Sequence, residues 1–399
     1  MKEVYIVAAA RTPIGGFGGK LSSLSASELG SIAIKSVLEK SGLQNFEVID
    51  EVLMGNVLSA NLGQAPARQA AIKAGLPSSI PCTTINKVCA SGMKAVTLGA
   101  QAIMCGQAKL VIAGGMESMS NVPYYLPKAR FGYKYGDATL VDGLQKDGLQ
   151  EVYHDFPMGN CAENTANKMK LSREAQDEYA IRSYQLAARA WKKGLFKNEV
   201  IPITLPSKGN STYTVSEDED FSKVNYEKIP QLRPVFLPEG TVTAANASNI
   251  SDGASALLLV EKKTALSLNL PVVGKITAFA DAAREPLWFT TAPSLAIPKA
   301  LKIAGLKLND IDFFEINEAF SAVALANQQL LQIPENKLNV YGGAVALGHP
   351  LGCSGSRIIT TLLSILHQED GNLGVAGICN GGGGASAIVI EKTQAINIL

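Results

Sequence analysis

Only three of the 399 residues are histidine and only six are cysteine. Six thiols (Cys82, Cys89, Cys105, Cys161, Cys353 and Cys379) over so long a chain do not make a disulfide framework, and no Cys/His spacing fits a zinc site. Reduced thiols are expected. Charge of one sign is also missing: Lys+Arg is 36 and Asp+Glu is 35, a formal net charge of +1. That balance offers no field for holding a polyanion, which argues against nucleic acid as a partner. No run of eighteen apolar residues occurs, so no helix is expected to cross a membrane. The chain opens Met1-Lys2-Glu3-Val4-Tyr5-Ile6-Val7, entering a strand without the apolar core of a secretory signal. It closes Ile396-Asn397-Ile398-Leu399, which is not a peroxisomal tripeptide. A cytoplasmic setting follows as the expectation.

What is present is core material. Hydrophobic residues make up 47% and charged residues 18%, enough to exclude a disordered chain. At about 150 residues per domain, two or three domains are expected. The 37 glycines fall largely in clusters, a sign that backbone must approach something closely.

An internal repeat organises the chain. Ile32-Ala33-Ile34 through Gly42-Leu43 is echoed by Leu295-Ala296-Ile297 through Gly305-Leu306. Ile49-Asp50 is echoed by Ile311-Asp312, Cys89 by Cys353, and Val111 by Val375, all at nearly the same separation. A duplicated α/β architecture explains that regularity, and alternating strands and helices predict mostly parallel sheets covered on both faces. The expected organisation is a first half over residues 1–117, an insertion over 118–248, completion of the first half over 249–270, and a second half over 271–399. Within the insertion, apolar spacing predicts a helix from Arg173 to Lys193 with Ser172 as its N-cap. The run Ser216-Glu217-Asp218-Glu219-Asp220 reads as solvated surface.

Four segments carry chemistry. Asn86-Lys87-Val88-Cys89-Ala90-Ser91-Gly92 sets a cysteine at a helix start, where free N–H groups and the helix dipole favour thiolate; a small buried apolar cysteine is the plain alternative. Gly348-His349-Pro350-Leu351-Gly352 places a histidine among glycines, with room for a ligand, whereas His154 and His367 read as structural or solvent-facing. Ile378-Cys379-Asn380-Gly381-Gly382-Gly383-Gly384 follows a second cysteine with a glycine run able to aim N–H groups at developing negative charge. Glu315-Ile316-Asn317-Glu318 ends a strand, where α/β folds place ligand groups. Two thiols, one imidazole and one amide indicate acyl transfer, because a thiolate exchanges an acyl group with a thioester at almost no energetic cost.

These segments, with Arg11-Thr12-Pro13-Ile14-Gly15 and Asn56-Val57-Leu58-Ser59-Ala60-Asn61, resemble the thiolases over nearly the whole chain, and within them the acetoacetyl-CoA thiolases. The resemblance implies duplicated α/β halves in five layers (αβαβα) with a loop domain covering coenzyme A. It implies reversible condensation of two acetyl-CoA into acetoacetyl-CoA and CoA, with no prosthetic group. Cys89 would carry the acetyl group, His349 would take its proton, and Cys379 would remove the α-proton of the second acetyl-CoA. Asn317 would hold a water at the enolate oxygen, and the N–H groups of Cys89 and Gly381 would form a second oxyanion site. Coenzyme A contacts implied are Met158, Tyr184, Lys223, Val224, Asn225, Lys228 and Ser248. A potassium site is implied at Tyr184 and the carbonyls of Ala244, Ala245, Ala247 and Val345. Pro157 stands where relatives often have histidine. Family members are dimers or tetramers, and the loop around Tyr124-Tyr125-Leu126-Pro127 resembles a tetramer-forming one. Competing readings are a degradative 3-ketoacyl-CoA thiolase of longer chain length, a thiol redox protein, for which no C-x-x-C exists, and an inactive scaffold.

Overall fold

The computed structural model describes residues 1–207, 209 and 211–393, so the C-terminal tripeptide lies outside the described residues. Ten strands form one sheet: β1 (Val4–Arg11), β2 (Gly15–Gly16), β3 (Glu51–Gly55), β4 (Cys82–Ile85), β5 (Leu110–Ser118), β6 (Ser251–Glu261), β7 (Gly274–Ala283), β8 (Phe313–Ile316), β9 (Leu373–Asn380) and β10 (Gly384–Lys392). Its order is β8-β9-β10-β7-β1-β6-β5-β3-β4, with β2 on β6. Counted outward from the central β1/β7 pair, one side reads β1-β6-β5-β3 and the other β7-β10-β9-β8. The pairing senses match on both sides: antiparallel, antiparallel, then parallel. The duplication heard in the sequence is thus a structural one.

The sheet is not mostly parallel, contrary to the alternation rule. β9 and β10 are joined by the short turn Gly381–Gly383, with φ of +82° and +88° at Gly382 and Gly383, and a hairpin must reverse direction. β6 returns to the first half only after the long segment that follows β5, so no crossover helix forces it parallel.

The principal helices are α1 (Ala26–Ser41), α2 (Pro66–Lys73), α3 (Ser91–Met104), α4 (Met158–Met169), α5 (Arg173–Lys192), α6 (Lys262–Ser267), α7 (Pro293–Ala304), α8 (Ser321–Leu331), α9 (Ala344–Leu347) and α10 (Leu351–Gln368). Ser25 and Glu28 cap α1 reciprocally. The echoed Gly42 and Gly305 end α1 and α7 in the left-handed conformation, at φ of 70° and 72°. That is why the repeat preserved glycine there.

Three cores stack the layers. Leu29, Ile34 and Val37 of α1 pack on Val52, Ile112 and Leu258 of the first-half strands. Met93 and Val96 of α3 and Ile358 and Leu362 of α10 fill the space between the two sheet halves. Ile297 and Leu301 of α7 cover Phe314, Val375 and Val389 on the far side. Helix, sheet, helix, sheet, helix is the result. β6 is buried along its whole length, as a strand covered on both faces should be.

The predicted helix in the insertion is α5, and Ser172 Oγ accepts from Ala175 N at 3.1 Å. The acidic run is only in part solvated surface: Ser216 and Glu217 are exposed, but the residues after them turn inward. Asp218 is 3% exposed and takes two hydrogen bonds from the Arg11 guanidinium, at 2.7 and 3.0 Å, and others from Ile14 N and Trp191 Nε1. Glu219 accepts from Gly16 N and Lys20 N. A buried arginine far away in sequence decides the fate of the run, and no local pattern could reveal it. Among the described residues, no helix is long and apolar enough to cross a membrane. All six cysteines are free thiols.

Candidate active site

The close backbone approach promised by clustered glycine is largely protein against protein. A Cβ at Gly115 would lie 1.9 Å from Gly352 O, one at Gly92 2.8 Å from the same atom, and one at Gly355 2.4 Å from Met93 N. Strand β5 and the N-terminal ends of α3 and α10 therefore touch through backbone. This contact brings Cys89, just before α3, and His349, just before α10, to one cavity of about 840 Å³.

Cys89 sits after a strained turn. Val88 has φ of +49°, a left-handed conformation that costs a β-branched residue about 1–2 kcal/mol. Asn86 Oδ1 holds Val88 N at 2.9 Å, and Ser91 Oγ holds Lys87 N at 2.8 Å. Burial pushes the Cys89 thiol up to about 11, although the N–H groups of Gly381 and of Cys89 itself pull it down. The expectation of a helix-start thiolate is therefore corrected: α3 begins two residues later, and desolvation outweighs the donors.

His349 is 5% exposed and lines the same cavity. Its Nδ1 lies 2.6 Å from Ser354 Oγ, which donates to Pro350 O at 3.0 Å. Nδ1 is thus held by Ser354, and Nε2 has no hydrogen-bond partner among the described residues. Burial first, and then the Arg357 charge, lower His349 to about 3. The resting pair is a neutral thiol and a neutral imidazole.

Cys379, the next-to-last residue of β9, is fully buried behind the lining, with Phe289, Phe320 and Cys161 in its apolar cluster. Burial, then Cys89, hold its thiol well above the ordinary value. Gly381 does line the cavity. Asn317 also lies behind it, 1% exposed, with Nδ2 3.5 Å from His349 Nδ1.

From Cys89 and His349 the cavity runs outward past Met158, Tyr184, Ser248, Ala244 and Ala247 to the exposed Lys223 and its neighbour Val224. Lys223 is paired with Glu219 and Asp220, at 2.8 and 2.9 Å. Pro157 and Phe289 also line it. Asn225 and Lys228 do not; Asn225 instead caps a short turn by accepting from Glu227 N. Ala245 and Val345 are buried beside the lining. No hydrogen bond of the described residues ends on the carbonyl oxygens of Ala244, Ala245, Ala247 or Val345. His154 pairs with Glu151, and His367 meets Val273 O, as non-catalytic histidines would.

Sequence reasoning missed the supports. Glu117 accepts from Val57 N, Leu58 N, Asn56 Nδ2 and Gly352 N, tying the loop after β3 to the start of α10, and burial pushes its carboxyl up to about 7. Its signal was a carboxylate in a fully buried strand. Glu318 gathers Tyr179 Oη, Ser183 Oγ, Asn339 Nδ2 and Val345 N, fixing α9 before the histidine. Ser354 carried no separate signal.

A buried thiol and a buried imidazole lining one cavity, with a second thiol close behind and an opening to solvent, define a class of acyl-transferring enzymes built on a duplicated α/β sheet. Comparison with known proteins narrows that class. Residues 4–263 match the thiolase N-terminal domain and residues 270–392 the thiolase C-terminal domain, and the chain belongs to the thiolase family. It is 57% identical over 397 residues to acetyl-CoA acetyltransferase IA of Candida tropicalis, covering 99% of this chain and 98% of that one. It is 54% identical over 395 residues to acetyl-CoA acetyltransferase of Saccharomyces cerevisiae, covering 98% and 99%. The crystal structure of Acat5 thiolase from Ascaris suum in complex with coenzyme A superimposes with a TM-score of 0.93 at 47% identity, covering 98% of this chain and all of that one.

Proposed function

We propose that the protein is an acetyl-CoA C-acetyltransferase, condensing two acetyl-CoA reversibly to acetoacetyl-CoA and CoA through acetyl-Cys89. The observation that carries this is that Cys89 and His349 line one cavity, with His349 Nε2 left without a hydrogen-bond partner among the described residues. Its sequence-level support is the high identity to acetyl-CoA acetyltransferases along nearly the whole chain.

In the first half-reaction the Cys89 sulfur attacks the acetyl carbonyl carbon and its proton passes to His349 Nε2. The expelled CoA thiolate needs a proton, and Cys379, a neutral thiol in the resting site, can give one. That leaves Cys379 as thiolate opposite an imidazolium, with no net charge created. In the second half-reaction the Cys379 thiolate takes the α-proton of another acetyl-CoA. The resulting carbanion attacks the acetyl carbonyl, the Cys89 thiolate leaves, and it recovers its proton from His349. The N–H groups of Cys89 and Gly381 hold the oxyanion, and Asn317 with His349 holds the enolate oxygen through a water. Met158, Tyr184, Lys223, Val224 and Ser248 line the path read here as that of coenzyme A, whereas Asn225 and Lys228, also implied by the resemblance, lie outside its lining.

Unclaimed carbonyls at Ala244, Ala245, Ala247 and Val345, with Tyr184 beside them, fit a monovalent cation, and potassium would supply positive charge that holds three segments together. Exchange of sodium for potassium at constant ionic strength should raise activity, and Tyr184→Phe should blunt the response; equal rates would remove the cation from the reading. Residues 118–248 are read as the inserted loop domain, since β5 ends at Ser118 and β6 begins at Ser251. The exposed Tyr124, Phe131, Tyr133 and Tyr135 favour a homotetramer, which light scattering would test. A cytoplasmic location is part of the same reading. Incubation with acetyl-CoA alone should yield acetoacetyl-CoA, and thiolysis should favour C4 over C10 substrates; equal or better C10 cleavage would indicate the degradative reading.

A further inference from the structure

We propose that Arg357 is a positioning residue that sets the direction of the Asn317 amide, and thereby the polarity of the enolate-binding site. The inference rests on the reading of Asn317 given above. Arg357 is on α10, 1% exposed, and its Nη2 lies 3.5 Å from Asn317 Oδ1. A guanidinium has only donors. An amide facing it presents its oxygen, so Nδ2 turns the other way, toward His349. A water held at Nδ2 must accept there and keeps both of its hydrogens. One of them is then free for the enolate oxygen. With the amide reversed, the water would donate to Asn317 and have one hydrogen fewer to offer the growing negative charge.

A second observation shows that Arg357 is not held mainly by an ion pair. Its Nη1 is 3.5 Å from Glu315 Oε2, and Nε, Nη1 and Glu315 Oε1 all lack hydrogen-bond partners. Burial raises Glu315 to about 8 despite that arginine. A long, half-satisfied buried pair is a poor source of stability. A donor-only group behind the amide is a function such a residue can serve.

The test separates the half-reactions. Arg357→Met also removes a charge that depresses His349, so acetylation of Cys89 by acetyl-CoA should not fall, while condensation should drop about 10²-fold, the order seen when one oxyanion donor is lost. Arg357→Lys, still donor-only, should recover much of the loss. In an Asn317→Ala background, Arg357→Met should cost nothing further, because the arginine acts through the amide. Additive losses, or equal damage to both half-reactions, would overturn the proposal. Asn317→Asp provides a check independent of whether Arg357→Met folds. It keeps an oxygen toward Arg357 but has no donor on its other side, so condensation should fall as in Asn317→Ala; full condensation would refute the polarity argument. Failure of the unaltered protein to acetylate Cys89 would strike the reading of the whole site, whereas normal acetylation with additive losses strikes this inference alone.

Discussion

At Cys89 two effects compete. Proximity to a helix start and two N–H donors favour thiolate, while removal from water favours the thiol, and the thiol wins at about 11. His349, at about 3, stays neutral at all working pH values. The thiolate fraction of free enzyme should therefore climb about tenfold per pH unit from roughly pH 7 to 10 without saturating. Iodoacetamide labelling of Cys89, followed by peptide mapping across that range, should rise in the same way. A plateau near or below the ordinary thiol value of about 8.5 would show a thiolate–imidazolium pair instead. The three side chains proposed to react stood out in the sequence because glycines or element ends surround them. Ser354, Glu117 and Arg357 were not, since each acts through a partner distant in sequence and carries no local pattern.

At the scale of elements, active-site geometry is set by the contact between the starts of α3 and α10. Gly355→Ala would put a methyl group 2.4 Å from Met93 N, on a backbone that cannot swing aside. Overpacking of this kind costs about 1–3 kcal/mol, and here it should also part Cys89 from His349. Activity should fall more than thermal stability does; native turnover in Gly355→Ala would show the contact to be slack. The buried Asp218 makes the complementary point. Asp218→Ala leaves the Arg11 guanidinium with Glu199 as its remaining carboxylate, so stability should fall by about 3 kcal/mol, read as a lower thermal midpoint. An unchanged midpoint would return the acidic run to solvent. Helix α5 and its Ser172 cap were legible from spacing and capping chemistry. The antiparallel senses of β6 and β10 were not, because strand direction depends on how the chain returns rather than on the strand's own residues.

At the scale of the whole molecule, duplication makes the site possible. Each half contributes a central helix, and the first half supplies Cys89 while the second supplies Asn317, His349 and Cys379 across the layer between them. The repeat could be heard in the sequence because glycine caps and strand starts kept their spacing; the joining of both halves into one sheet through β1 and β7 could not, since it depends on a short antiparallel pairing. The central claim is that the two thiols play different parts: Cys89 alone carries the acetyl group, and Cys379 supplies the base that condensation requires. The direct measurement is peptide-level mass spectrometry of the unaltered protein and of Cys379→Ala after incubation with acetyl-CoA alone. Both should carry one acetyl group on Cys89, released by added CoA in the unaltered protein, and only the unaltered protein should accumulate acetoacetyl-CoA. An acetyl group on any other residue, or condensation that survives in Cys379→Ala, would contradict the account.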